Sequence, residues 1–158
     1  VKLAFKLQGH TARHGLPIAI ENQVGSVRKG VDRDGKPWRT EMKAPYGYIK
    51  GTQGADGEGV DVYLGPNKDA THAHVVHQKK HDGSYDEDKV ILGVGSKEEA
   101  KKLYLQHYNT DRFLGPISKV TIERLKELIA SKKKLTKISS VMQSSFFEEL
   151  GNIVGSAS

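Results

Sequence analysis

Seven of the chain's nineteen acidic residues fall in two eight-residue windows, Gly54–Asp61 and Asp82–Lys89. Packing like charges together destabilises a fold unless cations or basic groups neutralise them, so such clustering points to function. The first window, Gly54-Ala55-Asp56-Gly57-Glu58-Gly59-Val60-Asp61, sets three carboxylates on a glycine-rich loop that lets them converge as the chain enters a strand. The second, Asp82-Gly83-Ser84-Tyr85-Asp86-Glu87-Asp88-Lys89, carries four acids and ends on a lysine. Hard carboxylate oxygens, with no thiolate to compete, suit Mg²⁺ or Mn²⁺ better than Zn²⁺. The plain alternative is a pair of acidic Asx turns that solvate hairpin ends.

Other chemistries find little support. The chain has no cysteine, which removes disulfides, thiolate metal sites and cysteine nucleophiles. No serine sits in a nucleophile elbow, and neither a phosphate-binding lysine loop nor a dinucleotide glycine motif is present. Gly93-Val94-Gly95 precedes a helix signal but lacks a lysine, so it reads as a strand-to-helix turn. His72, His74, His77 and His81 lie close together, yet strand alternation sends His77 to the face opposite His72 and His74. The formal charge of +6 would suit nucleic acid. However, the densest basic stretch, around Lys132-Lys133-Lys134, has no interleaved aromatics on which bases could stack, so nucleic acid is not the expected partner.

These residues have to be held by the elements between them. The 158 residues, 36% hydrophobic and 28% charged, suffice for one globular domain. No apolar run approaches the ~18 residues of a membrane span, and no membrane role is expected. Short strands cut by turn signals are predicted at Pro17–Glu21, Lys36–Met42, Ala44–Ile49, Val60–Leu64, His72–Gln78 and Lys89–Val94, with Val24–Arg28 as a turn into a second strand and Asp-Gly hairpin signals at Asp34-Gly35 and Asp82-Gly83. Ser96-Lys97-Glu98-Glu99 is a capping box for a helix whose Ala100, Leu103, Tyr104 and Tyr108 share a face. Thr121 caps a second helix with the stripe Ile122, Leu125, Leu128 and Ile129. The fold class is thus α+β, mainly β: a small barrel with two or three C-terminal helices packed outside. Residues 1–14 read as an irregular arm, 15–130 as the domain, and 131–158 as a basic linker with a short amphipathic tail. In that tail Met142, Phe146, Leu150 and Ile153 keep helical spacing and could meet a protein partner over 142–153.

Taken in order, Ile20-Glu21, Pro45-Tyr46-Gly47-Tyr48-Ile49-x-x-Thr52 and Asp56-Gly57-Glu58-Gly59-Val60-Asp61-Val62, followed by the spacing Asp82, Glu87, Lys89 and then Gln106-His107-Tyr108-Asn109, resemble the family I soluble inorganic pyrophosphatases. The resemblance spans residues 17 to 129. The stretches Gly25-Ser26-Val27-Arg28, Gly35-Lys36-Pro37-Trp38 and Asp61-Val62-Tyr63-Leu64-Gly65-Pro66 are closest to the divergent pyrophosphatase-like domains of phage and mobile-element proteins. Such domains lie inside longer chains, which suits a sequence that begins with Val1.

The resemblance implies a five-stranded, OB-like β-barrel and Mg-dependent hydrolysis of pyrophosphate or a related phosphoanhydride. It implies two or more Mg²⁺ ions, with Mn²⁺ as substitute, on Asp56, Glu58, Asp61, Asp82 and Glu87, with Glu21 in support. Glu58 matches the general base. Lys89, Arg28, Tyr46 and Tyr108 match the groups that contact phosphate, with Arg33 and Arg39 as alternatives to Arg28. Several positions depart from the family pattern: Glu58 and Glu87 replace Asp, Gly59 replaces Pro, Ala19 stands in place of a Lys, and so does Asn109. The alternative is therefore a catalytically degenerate module that serves as a phage virion or capsid-associated protein or binds a partner; a homo-oligomer or a place in a virion is the expected assembly. A cytoplasmic place in the host cell, or one on the virion, is the expectation from absent targeting signals.

Overall fold

The computed structural model describes residues 7–55 and 57–130; Asp56 and the expected linker and tail over 131–158 lie outside the described residues. Nine strands and two helices are described in chain order: β1 (Gly9–Arg13), β2 (Leu16–Asn22), β3 (Val27–Val31), β4 (Pro37–Glu41), β5 (Tyr46–Ile49), β6 (Val60–Leu64), β7 (His72–Lys79), β8 (Tyr85–Leu92), α1 (Lys97–Leu105), β9 (Ile117–Thr121) and α2 (Ile122–Ala130). Both Asp-Gly hairpins form as the sequence predicts, β3 with β4 and β7 with β8. The capping box also forms: Ser96 Oγ accepts from the Glu99 amide, and the Glu99 carboxylate accepts from the Gly95 amide at 2.8 Å. Thr121 Oγ1 caps α2 by accepting from the Arg124 amide at 3.0 Å. No helix among the described residues is long and apolar enough to cross a membrane.

Seven strands make one open sheet in the order β1-β2-β5-β6-β8-β7-β9, and β3-β4 stand apart as a two-stranded ribbon. This corrects the expected five-stranded, OB-like barrel. β6 pairs with β8 in parallel, which displaces β7 outward. There β7 takes β9 as its second partner and lengthens the sheet instead of closing it. It also corrects the irregular arm, because Gly9–Arg13 pairs along its length with β2. At Gly47, packing demands the missing side chain: a Cβ there would lie within 1.8 Å of the Ala19 carbonyl oxygen, where β2 bulges against β5.

Alternation along the strands divides the sheet into two faces. One carries Ile18, Ile20, Val60, Val62, Val75 and Val90 and packs beneath α2, through Leu125, Leu128 and Ile129. The other carries Tyr46, Tyr63, Val76 and Ile91 beneath α1, through Ala100, Leu103 and Tyr104. The α1 face therefore has an apolar end under the helix. Its other positions are where Asp61, Glu87 and Lys89 fall.

Candidate functional site

Strand register assembles this site. On the α1 face one rung of neighbours runs Ala19, Tyr48, Asp61, Lys89 and Val76 across β2, β5, β6, β8 and β7. The parallel pairing of β6 with β8 sets Asp61 directly beside Lys89. The next rung holds Tyr46, Tyr63 and Ile91, and Glu87 lies opposite Gln78.

Lys89 is the centre. Its Nζ donates to Asp61 Oδ2 at 2.7 Å and to the Tyr46 hydroxyl at 2.8 Å, and pairs with Glu87 Oε1 at 2.7 Å. Burial would drive the proton off this lysine, but Asp61, with Tyr46 and Glu87 behind it, more than compensates and holds the ammonium charged. Burial also raises the Glu87 carboxyl, against the pull of Lys89. The Tyr46 phenol is fully buried and pushed far up by that burial, so it keeps its proton. Because its oxygen accepts from Lys89, that proton is left to donate elsewhere. The Arg28 guanidinium stands 4.6 Å from the Tyr46 ring centre and 5.2 Å from that of Trp38.

A second layer lies behind. Gln78 Oε1 accepts from both Tyr104 Oη at 2.7 Å and Tyr108 Oη at 2.9 Å, while Gln78 Nε2 donates to Asp86 Oδ2 at 3.0 Å. Tyr104 and Tyr108 stack at 4.5 Å. The loop between β5 and β6 is clamped at its root, where Thr52 Oγ1 donates to the Ile49 carbonyl at 2.6 Å and accepts from the Val60 amide at 2.9 Å. Gly59 has a packing reason: a Cβ there would fall 2.5 Å from Tyr48 Cδ2, so Tyr48 occupies the space a proline ring would need.

Of the residues singled out in the sequence, the structure brings together Lys89, Asp61, Glu87, Tyr46 and Arg28, with Tyr108 joined through Gln78. Arg39 lies on the opposite face of the β3–β4 ribbon from Arg28, and Arg33 lies between those two strands. Glu21 is buried at the β2 bulge, and Glu58 sits half-buried in the β5–β6 loop. Asp56 lies outside the described residues. Asp82 is exposed in the β7–β8 turn, where its carboxylate accepts from the Ser84 amide and hydroxyl at 2.9 and 2.6 Å. Those bonds hold its carboxyl below the usual range, and the charges beside it are Lys80 and Arg33. Among the described residues no three His, Cys, Asp or Glu converge as a metal cage.

His77 turns to the α2 face, as alternation requires, and bridges Asp88 Oδ1 and Ser118 Oγ at 2.7 Å each. His107 packs: its Nδ1 bonds the Leu103 carbonyl and its Nε2 accepts from the Lys43 amide. Sequence reasoning missed Gln78 as the anchor of two tyrosines. The only signal was an amide at the end of the apolar run Val75-Val76.

A buried ammonium clasped by two carboxylates and a phenol, with a guanidinium over that phenol, thus stands on one face of the sheet. The model of the Inorganic Pyrophosphatase family matches residues 3–130, and the chain belongs to that family. Among solved structures it is similar to an inorganic pyrophosphatase from Neisseria gonorrhoeae, at 17% identity and a TM-score of 0.44, over 73% of this chain and 88% of that one. It is also similar to an inorganic pyrophosphatase from Helicobacter pylori, at 16% identity and a TM-score of 0.43, over 77% of this chain and 91% of that one. No curated protein sequence matches the chain.

Proposed function

We propose that this protein hydrolyses pyrophosphate in the presence of Mg²⁺, with Asp61, Glu87 and Lys89 at the centre of the site. One observation carries the proposal: Lys89 is held charged on a single sheet face between Asp61, Glu87 and Tyr46 in a chain of the pyrophosphatase family. The donor set fits the metal. Asp61 and Glu87 offer hard oxygens that both reach one nitrogen at 2.7 Å, and burial raises the Glu87 carboxyl, so added positive charge is favourable there. Asp61 and Glu87 would hold Mg²⁺, together with Asp56 and Glu58 from the adjoining loop. When bound, Mg²⁺ lowers the pKa of a water and offsets charge on the phosphates.

The chain's own groups then divide the remaining work. Lys89 and Arg28 supply fixed positive charge to the phosphate oxygens, and Tyr46 donates its phenolic proton to one of them. Glu58 accepts the proton of the attacking water, and Tyr108 positions the far phosphate. Phosphate release from pyrophosphate in millimolar Mg²⁺, with and without chelator, tests this. Turnover should vanish with chelator and fall at least a hundredfold in Glu58→Gln, the range expected for loss of a general base. Absence of turnover from folded protein with either Mg²⁺ or Mn²⁺ overturns it.

A further inference from the structure

Three side chains on the α2 face of the sheet stand apart from the Lys89 cluster and are joined in a fixed order. Asp88, His77 and Ser118 come from the neighbouring strands β8, β7 and β9. His77 Nδ1 lies 2.7 Å from Asp88 Oδ1, and His77 Nε2 lies 2.7 Å from Ser118 Oγ. An ionised carboxylate can only accept, so Nδ1 carries the proton of the first bond. Nε2 is then an acceptor, and the Ser118 hydroxyl donates to it. A histidine in that tautomer, held by a third group, is placed to draw the proton from a serine. The Tyr85 hydroxyl also bonds the Asp88 side chain and fixes the carboxylate from a second direction.

Exposure rises along these bonds. The Asp88 side chain is 4% exposed and that of His77 9%, while Ser118 is partly exposed on β9, an edge strand whose one partner among the described residues is β7. The His77 amide donates to the Pro116 carbonyl, so by antiparallel alternation Ser118 and Val120 are the next residues of β9 to bond β7. The Lys119 amide therefore faces out along the free edge, directly after Ser118, where it can donate to a carbonyl oxygen under attack. Apolar side chains would tie three strands together at less cost than a buried carboxylate. We propose that Ser118, His77 and Asp88 form a second site, one that hydrolyses a small activated carboxylic ester. Ser118 Oγ bonds the ester carbonyl carbon as its proton passes to His77 Nε2. The bond from that carbon to the alcohol oxygen breaks, and the alcohol leaves with the proton. Water then gives a proton to His77 and adds to the acyl group, and Ser118 recovers that proton as the acid leaves. The site faces α2 whereas Lys89 faces α1, so it does not depend on pyrophosphate chemistry.

The full chain is given p-nitrophenyl acetate as ester and, separately, a fluorophosphonate that labels activated serines. The label should sit on Ser118, read by peptide mass, and nitrophenol release should fall at least about a hundredfold in Ser118→Ala. Because the chain has no cysteine, Ser118→Cys places a single thiol against His77. That thiol should ionise well below the ordinary value of about 8.5 and take iodoacetamide at pH 6 at least about tenfold faster than Thr11→Cys, on the exposed edge strand β1. Adding His77→Gln to Ser118→Cys, with the fold checked by circular dichroism, should return the rate to that of Thr11→Cys. Nitrophenol release unchanged in Ser118→Ala, or a label on any other residue, overturns the proposal. So does a Ser118→Cys thiol that titrates near 8.5, a result that needs no change at His77 and would leave the three residues a brace between strands.

Discussion

Lys89→Met keeps the length of the side chain and deletes its charge. Two carboxylates then remain in place, with the Asp61 side chain 8% and the Glu87 side chain 20% exposed and neither facing a cation at Lys89's position. Breaking a buried pair by removing one partner costs about 3–5 kcal/mol. In a domain of this size that lowers the melting temperature by roughly 10–15 °C. The pH dependence gives a sharper test. Burial already raises the Glu87 carboxyl, and without the ammonium nothing at Lys89's position pulls it back down. Groups of that kind keep their full contribution below the unfolded pKa and lose it as pH rises through the folded one. The deficit of Lys89→Met should therefore be smallest below about pH 4 and grow toward neutrality. Urea unfolding in chelator, at pH 4 and pH 7, measures it. Adding Glu87→Gln to the variant should recover part of the deficit at pH 7. A loss under about 1 kcal/mol at pH 7, or one independent of pH, would refute the view of Lys89 as the counter-ion of a buried acid pair.

Gln78→Leu removes the shared acceptor of the Tyr104 and Tyr108 hydroxyls, and should cost about 1–3 kcal/mol while raising KM for pyrophosphate more than it lowers kcat. Steady-state kinetics beside a denaturation curve check both parts. Gly59→Ala drives a methyl into Tyr48 and should destabilise by about 1–3 kcal/mol, read as a lower urea midpoint; an unchanged midpoint means the ring moves aside freely. Ser118→Ala leaves His77 Nε2 without its hydroxyl partner and should cost about 1 kcal/mol, with faster amide exchange along β9 than along β6.

Much of this was legible because the signals were local. Asp-Gly at a hairpin tip, Ser96 three residues before Glu99, and the stripe from Ile122 to Ile129 each act within a few residues, and each formed. The order of Tyr46, Asp61, Glu87 and Lys89 likewise carried the cluster. What escaped depended on distant partners or on choices spacing does not encode. Gly-His-Thr-Ala-Arg has no alternating apolar face, so β1 is a strand through backbone pairing with β2 alone. Asp82 stands at the spacing of a ligand and also at the head of Asp-Gly-Ser, and its Oδ1 takes both local bonds from Ser84. Sheet order was the least accessible, since nothing near β6 reveals that β8 will be its parallel neighbour.

That parallel pairing links the core to the chemistry. Along β6 the α2 face takes Val60, Val62 and Leu64 while Asp61 and Tyr63 take the other. Along β8 Val90 and Leu92 alternate with Lys89 and Ile91. A slip of one residue in either strand would carry Lys89 or Asp61 toward Leu125, Leu128 and Ile129 of α2, which satisfy no charge. The apolar stripe of α2 therefore does more than close a core. By accepting only the valine and leucine positions of β6 and β8, it fixes the register in which Asp61 meets Lys89. Mutations beneath α2, such as Val62→Thr or Val90→Thr, should on this logic loosen the Lys89 cluster through register rather than contact. The loss should appear as broadened Lys89 Nζ and Tyr46 resonances in NMR before global unfolding begins, and resonances that stay sharp up to the unfolding transition would show that the cluster holds the register unaided.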